Sequence, residues 1–378
     1  MKLLHTSDWH LGAADGDRSL KEDQKFFTNE ICRIVEEEKV DAVLIAGDVY
    51  DRSVSSADAI KLYDYAMTRL CRDLGAKVLI IAGNHDSAER LSSCSDLLSD
   101  AGLYIVRKKS EKVEKVSFED TDVYLLPWIT EERVKSVFPD QKENIQSLED
   151  AYRVVLDSIR TTFDNNKKHI ILSHAFITDS ETSTSDRAAE IGFAAQVSAE
   201  VFDGFDYVAL GHIHKPQDVS KTIRYSGTPM PYSFGKEENQ EKSITVIDTA
   251  DMSRTVVPLA LLHKRTTFTG ELDCLLHPTC EDDIREGYVR LQVTDNYVGL
   301  EALSELRRVY PNLLEASGKT FEGENATVTL SIEELEKLEE DPIEVFKYFC
   351  REEAGEEASD HLIELFAQAV KATEEAEL

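Results

Sequence analysis

Apolar residues gather at five places in short unbroken blocks, and each block ends where a hydrophilic stretch begins: Leu3 to His10 (LLHTSDWH), Ala42 to Asp51 (AVLIAGDVYD), Leu79 to Asp86 (LIIAGNHD), Ile170 to His174 (IILSH) and Tyr207 to His214 (YVALGHIH). Runs of this kind predict strands buried on both faces, as in parallel sheets. Between them the apolar period lengthens to that of a helix. Leu20 to Glu38 carries Phe26, Phe27, Ile31, Ile34 and Val35 on one side, Ala57 to Leu74 carries Ile60, Tyr63, Met67, Leu70 and Leu74, and Ser87 to Ala101 carries Leu91, Cys94, Leu97 and Leu98. Such stripes usually cover a sheet; a contact with a second copy of the chain is the sharper alternative.

From Leu103 alternation takes over and predicts a strand, then a hairpin turning at Glu119 to Asp122. Helices are expected over about 130–138 and 146–163. The Ser- and Thr-rich stretch from Thr178 to Asp186 is long enough for a functional loop. Three short strands beyond His214, about 222–225, 243–248 and 254–258, are expected to make a second sheet packed on the first. Residues 1–262 therefore predict an α/β fold, a four-layer αββα sandwich. Residues 263–330, strand-like at 266–272, 288–294 and 312–316 and helix-like at 300–309, predict a small α+β cap domain. Residues 331–378 predict an acidic helical segment with two apolar faces, one of Val345, Phe346 and Phe349, the other of Leu362, Ile363, Leu365, Phe366, Ala369 and Val370. Those faces need something to pack on, either each other or a partner protein.

Charge narrows the functions. With 73 acidic residues against 42 Lys and Arg, a formal charge of −31, the chain lacks an unaided phosphate-tracking basic surface. If nucleic acid is the substrate, metal ions and a partner must supply positive charge. Six cysteines without a CxxC pair read as reduced thiols, MKLLHTSDWH enters a strand with no signal-peptide core, and no apolar run approaches the ~20 residues that span a bilayer. A cytoplasmic protein without membrane attachment is expected.

Ligands in open α/β sheets bind at the carboxyl edge. Five strand ends deliver Asp8, His10, Asp48, Asn84, His174, His212 and His214 to one such rim. Each alone is an ordinary cap or core group; together, in the order DxH, GDxxD, GNHD, lone His and GHxH, they make the donor set of two divalent ions. Asp48 is assigned to the bridge, with Asp8, His10 and His214 completing one ion and Asn84, His174 and His212 the other. Asn84 is neutral, where a further carboxylate would repel a phosphate. The mixed nitrogen and oxygen set favours manganese over magnesium and over structural zinc. Two ions about 4 Å apart clamp a phosphate for in-line attack, which points to phosphoester hydrolysis. His85 is the candidate general acid, and Asp51 and Asp86 are candidate acceptors that orient the histidines. Trp9, Trp128 and the aromatics from Tyr225 to Phe234 are assigned to packing. The donor set alone leaves DNA, small nucleotides and phosphoproteins open as substrates.

These five signatures resemble the calcineurin-like metallophosphoesterases over residues 1 to about 235. The longer strings HTSDWHLG, VLIAGDVYD, IIAGNHDS, FDYVALGHIHKPQ and YSGTPMPYSFGKEENQEKSITVID are similar to the double-strand-break repair nucleases of that family, as is the tail around DPIEVFKYFCREEAGEE and HLIELFAQAVKATEEAE. The resemblance implies a manganese-dependent DNA nuclease with 3′-to-5′ exonuclease and single-strand or hairpin endonuclease activity. It also implies a nucleoid-associated homodimer joined through helices at about 57–74 and 87–101, and an ATPase partner with long coiled coils. It places the metal ligands on the positions assigned above and gives His85 a catalytic role. Relatives in other branches carry His where Asp51 stands, which puts more of the leaving-group chemistry on His85.

Overall fold

The computed structural model describes residues 1–15, 18–106, 113–183, 185–186, 196–279, 285–296, 298–319, 327–331, 346–347, 362–363 and 365–367. The chain divides into two units, Met1–Asp15 with Ser19–Lys264, and Gly16–Arg18 with Arg265–Leu378.

The first unit is a four-layer αββα sandwich. One sheet runs in the order Ser253–Pro258, Ser243–Asp248, Lys2–Thr6, Ala42–Ala46, Lys77–Ile81, Leu103–Ile105, the last four strands parallel. The other runs Gln217–Asp218, Ile223–Tyr225, Tyr207–Gly211, Lys168–His174, Thr121–Leu126, Glu114–Ser117, with a parallel centre and antiparallel edges. Alternate residues of each strand face the other sheet: Leu3, Leu44, Leu79 and Ile81 meet Val123, Leu125, Ile170, Leu172 and Ala209 in one apolar layer. Their neighbours face outward. On the second sheet Tyr124, Ile171, Val208 and Leu210 pack under Tyr152, Val155, Leu156 and Ile159 of the helix Leu148–Arg160. Both faces being covered is why the strands are apolar throughout rather than alternating.

Three expectations are corrected. The strands expected to form a second sheet together are shared out: Ile223–Tyr225 joins the second sheet, while Ser243–Asp248 and Ser253–Pro258 extend the first by pairing antiparallel beside Lys2–Thr6. The helix expected over 87–101 is two short ones, Ala88–Leu91 and Ser95–Ser99, broken at Cys94, whose φ of +59° an α-helix cannot carry. The helix Ala57–Met67, capped by Ser56 accepting from the Ala59 amide, passes into a π-helical turn at Thr68–Asp73. Its stripe is not all core, since Ile60 is 52% exposed.

The second unit is a four-stranded sheet, Arg265–Gly270, Tyr288–Val293 and Leu313–Lys319 parallel and Thr327–Ser331 antiparallel, with Leu303 and Leu306 of the helix Leu300–Val309 in its core. Of the expected C-terminal helices most residues lie outside the described ones; Phe346 and Phe366 are described, with rings stacked 4.3 Å apart. Among the described residues no helix is long and apolar enough to cross a membrane.

Candidate metal centre

The carboxyl ends of both sheets' central strands meet at one rim. To turn out of their strands there, Asp8, His10, Asp48 and His212 adopt φ values of +53°, +43°, +49° and +102°. Left-handed backbone costs a residue with a Cβ about 1–3 kcal/mol and is held only where surrounding structure enforces it. Here the enforcing bonds are Asp8 N to Gly47 O and His10 N to Asp48 O, both 3.0 Å, which tie the first strand's loop to the second's.

The side chains then converge. Asp48 Oδ2 lies 3.4 Å from His174 Nε2, 3.9 Å from His85 Nε2 and 4.0 Å from His10 Nε2, at the middle of the group. His10 Nε2 and His214 Nε2 face each other at 3.1 Å, and Asn84 Oδ1 faces both His174 Nε2 at 2.8 Å and His212 Nδ1 at 3.1 Å. Ligand atoms of Asp8, His10 and His214, and likewise of Asp8, Asp48 and His174, all lie within 4.8 Å of one another. His10, Asp51 and His85 form a third such set. All seven residues named from the strand ends are therefore brought together, with Asp8 shared between two of the sets.

This donor set fits cations. Burial pushes His10 down to about 4, His212 to about 3 and His214 well below the ordinary imidazole range, so their lone pairs are open to metal. Two bare imidazole nitrogens at 3.1 Å repel unless a proton or cation lies near them. His10 Nδ1 is buried with no hydrogen-bond partner. Burial pushes Asp8 up to about 7, with the charge of Asp48 adding to it and His174 opposing. Burial would also raise Asp48, but His174 and then His10 and His85 hold it well below the carboxylate range. His174, which burial alone would lower, is lifted to about 9 by Asp48 and Asp8. Two carboxylates buried against imidazoles in this way make a donor set that a pair of divalent ions would satisfy.

His85 stands beside this group. Its Nδ1–H donates to the Asp51 carbonyl at 2.9 Å and its amide donates to Asp48 Oδ1 at 3.0 Å, and His85 lines a cavity of about 270 Å³ together with His10, Asp48, His212 and His214. Asp51 orients it through the backbone; the Asp51 carboxylate lies 3.8 Å from His10 Nδ1 instead. Asp86 turns to the backbone. Its carboxylate accepts from the amides of Val49, Tyr50 and Gly83 at 3.1, 2.9 and 3.0 Å and so pins the GDVYD and GNHD loops together.

Several residues that the sequence pattern places in packing, or gives no role, shape the site. Trp128 stacks on the His212 ring, centroids 5.3 Å apart, and Tyr232 sets its edge on His10 at 5.6 Å. Ser185 Oγ is 2.5 Å from His214 Nδ1 and also bonds Glu237, and Asp186 accepts from the His214 amide at 3.0 Å. Glu237 and Lys242, both buried, pair at 3.2 Å. In the sequence this cluster is signalled by the length of the Thr178 to Asp186 loop and by the string YSGTPMPYSFGKEENQEKSITVID, which holds Tyr232, Glu237 and Lys242.

Residues 1–216 match the calcineurin-like phosphoesterase family. The chain is 32% identical over 326 residues to a protein from Staphylococcus epidermidis named as a subunit of the nuclease SbcCD, 85% of this chain and 86% of that one. Among solved structures it is similar to a Thermus thermophilus protein, at 11% identity with a TM-score of 0.38, covering 68% of this chain and 99% of that one. It is also similar to a dimetal phosphatase from Danio rerio, at 13% identity with a TM-score of 0.41, covering 69% and 99%.

Proposed function

This chain belongs to the calcineurin-like phosphoesterases, and from that premise we propose that it is a manganese-dependent DNA nuclease subunit, with 3′-to-5′ exonuclease and single-strand or hairpin endonuclease activity, acting with an SbcC-like coiled-coil ATPase in DNA repair, recombination and replication. The observation that carries the reading is the convergence of seven nitrogen and oxygen donors from five strand ends, beside a histidine that lines the same cavity. The similarity to an SbcCD nuclease subunit over 85% of the chain supports DNA as the substrate and the ATPase as the partner.

In this reading Asp8, His10, Asp48, Asn84, His174, His212 and His214 hold two divalent ions. Such ions act as Lewis acids on a phosphoryl group and template its in-line displacement. Four imidazoles, two carboxylates and an amide suit manganese, since magnesium prefers an all-oxygen shell and structural zinc prefers thiolate. His85, held through Nδ1–H by the Asp51 carbonyl, is the general acid for the departing oxygen. The acidic chain, at −31, binds duplex DNA weakly alone, and the ATPase supplies the basic surface. Ile60, in the helix Ala57–Met67, and Leu97, in the short helix Ser95–Ser99, 52% and 74% exposed, support a homodimer through the segments at about 57–74 and 87–101. The second unit guides substrate, and residues 331–378 dock on the ATPase. The site of action is the cytoplasm, at the nucleoid.

Purified chain is incubated with Mn²⁺ and, in separate reactions, a hairpin, a blunt duplex and a cyclic dinucleotide. The expected result is cleavage of the DNAs, lost in Asp8→Ala. Cleavage of the dinucleotide alone would move the assignment to small nucleotides. Deleting the residues after Ser331 is expected to abolish ATPase association while leaving hydrolysis of a small diester; co-purification of the truncated chain with the ATPase would refute the docking role.

A further inference from the structure

An imidazole binds a cation only through the nitrogen that bears no proton, so each histidine of the centre needs its tautomer chosen for it. His174 is fixed by a backbone carbonyl: Nδ1 lies 2.8 Å from Ala46 O, an atom that can only accept, so Nδ1 holds a proton and Nε2, turned toward Asp48 and Asn84, is the nitrogen that a cation would take. For His214 the partner is different. Its Nδ1 faces Ser185 Oγ at 2.5 Å, and a hydroxyl donates as readily as it accepts. Ser185 by itself leaves both tautomers open.

The choice is made one residue further out. Ser185 Oγ also bonds Glu237 Oε1, and a carboxylate can only accept. The single hydroxyl proton therefore goes to Glu237, and the lone pair left on Oγ accepts from His214 Nδ1–H. His214 Nε2, 3.1 Å from His10 Nε2, is then the bare nitrogen. Glu237 has no freedom to turn away: Oε2 accepts from the Tyr232 amide at 3.0 Å and from Lys242 Nζ at 3.2 Å, and Oε1 accepts from Ser233 Oγ at 2.9 Å. Both members of the Glu237–Lys242 pair are buried; burial alone favours their neutral forms, and the Lys242 ammonium with the donors from Ser185, Tyr232 and Ser233 holds the carboxylate ionised. Asp186 is no substitute, since its Oδ1 is 3.5 Å from Nδ1 and already accepts from the His214 amide.

We propose that Lys242, Glu237 and Ser185 form a relay that sets the tautomer of His214, making Ser185 and Glu237 positioning residues for one of the two ions. The inference rests on the two-ion reading above, so its test begins where no metal is needed. In ¹⁵N-labelled, metal-free protein, long-range proton–nitrogen correlations are expected to place the His214 proton on Nδ1 in the wild type, to move it toward Nε2 in Ser185→Ala, and to return it in Ser185→Thr. Titration calorimetry with Mn²⁺ then reads the consequence. Ser185→Ala and Glu237→Gln should each weaken one ion by about 10- to 100-fold and leave the other unchanged, with Ser185→Thr near wild type. The Ser185→Ala/Glu237→Gln double variant should lose no more than the weaker single one, because both break one chain. Ser185→Ala keeps the buried ion pair and so carries the test even if Glu237→Gln does not fold. An unmoved His214 proton with unchanged Mn²⁺ affinity, or losses that multiply in the double variant, would overturn the relay. Wild-type protein that takes up no Mn²⁺ but shows the expected proton shifts would refute the two-ion reading and leave the relay standing.

Discussion

Replacing Gly83 by alanine tests how tightly the centre is assembled. A methyl group on its Cα would meet Asp48 Oδ1 at 2.1 Å, the Asp48 amide nitrogen at 2.5 Å and Cγ at 2.7 Å. Backbone and carboxylate both stand in the way, so no rotamer change makes room. Non-bonded contacts settle no closer than ~3 to 3.5 Å, so the loops bearing Asp48 and Asn84 must part by about 1 Å. The bonds that would stretch first are His85 N to Asp48 Oδ1 and Gly83 N to Asp86 Oδ2, both 3.0 Å. A displacement of about 1 Å at a catalytic centre costs on the order of 100-fold in rate, and overpacking a filled site costs roughly 1–3 kcal/mol of stability. The assay is bound manganese by elemental analysis, hydrolysis of bis(p-nitrophenyl) phosphate, and a thermal melt. Gly83→Ala is expected to fold, melt earlier, hold less metal and turn over about 100-fold more slowly. Gly75→Ala is the control: its φ of +70° carries backbone strain, but nothing lies within 4 Å of the new methyl, so stability alone should fall, by about 1–2 kcal/mol. Wild-type metal content and turnover in Gly83→Ala would refute the claim that this close approach shapes the centre.

Other expectations follow from the same geometry. Lys242→Met leaves Glu237 ionised and buried without its partner and should destabilise by about 3–5 kcal/mol in urea denaturation, whereas Glu237→Met/Lys242→Met should recover much of that loss. Burial would raise the pKa of Asp122, but Lys115 at 2.6 Å and Lys167 at 3.1 Å hold it at about 2, below its ordinary 3.8. A lowered carboxylate stabilises the fold above its unfolded pKa. Asp122→Asn should therefore cost about 2 kcal/mol at neutral pH, and denaturation midpoints should show that gap closing as the pH falls from about 4 toward 2. Ile60→Glu with Leu97→Glu should shift sedimentation toward monomer without changing hydrolysis of a small diester; an unchanged sedimentation profile would remove these residues from the self-association surface.

Much of this centre is legible in the primary structure. A strand covered on both faces requires an unbroken apolar run, and a loop that holds a cation requires oxygen and imidazole donors, so the blocks ending at Asp8, Asp48, Asn84, His174 and His214 announce both the layers and the rim. Helical stripes are legible for the same reason, although the stripe from Leu91 to Leu98 conceals a break, because one residue at positive φ leaves no mark on periodicity. What the chain order could not convey is how contacts between distant loops are resolved. Ser185 reaches His214 across 29 residues and Glu237 across 52, bonds with no repeating pattern to betray them. Asp86 reads as a partner for histidine, yet three backbone amides lie closer to its carboxylate and, being otherwise unsatisfied at the turn, they claim it. Donor identity is thus a property of the sequence, set by side-chain chemistry; which nitrogen of each histidine stands bare is decided only in the folded protein, where buried hydrogen-bond acceptors fix the proton.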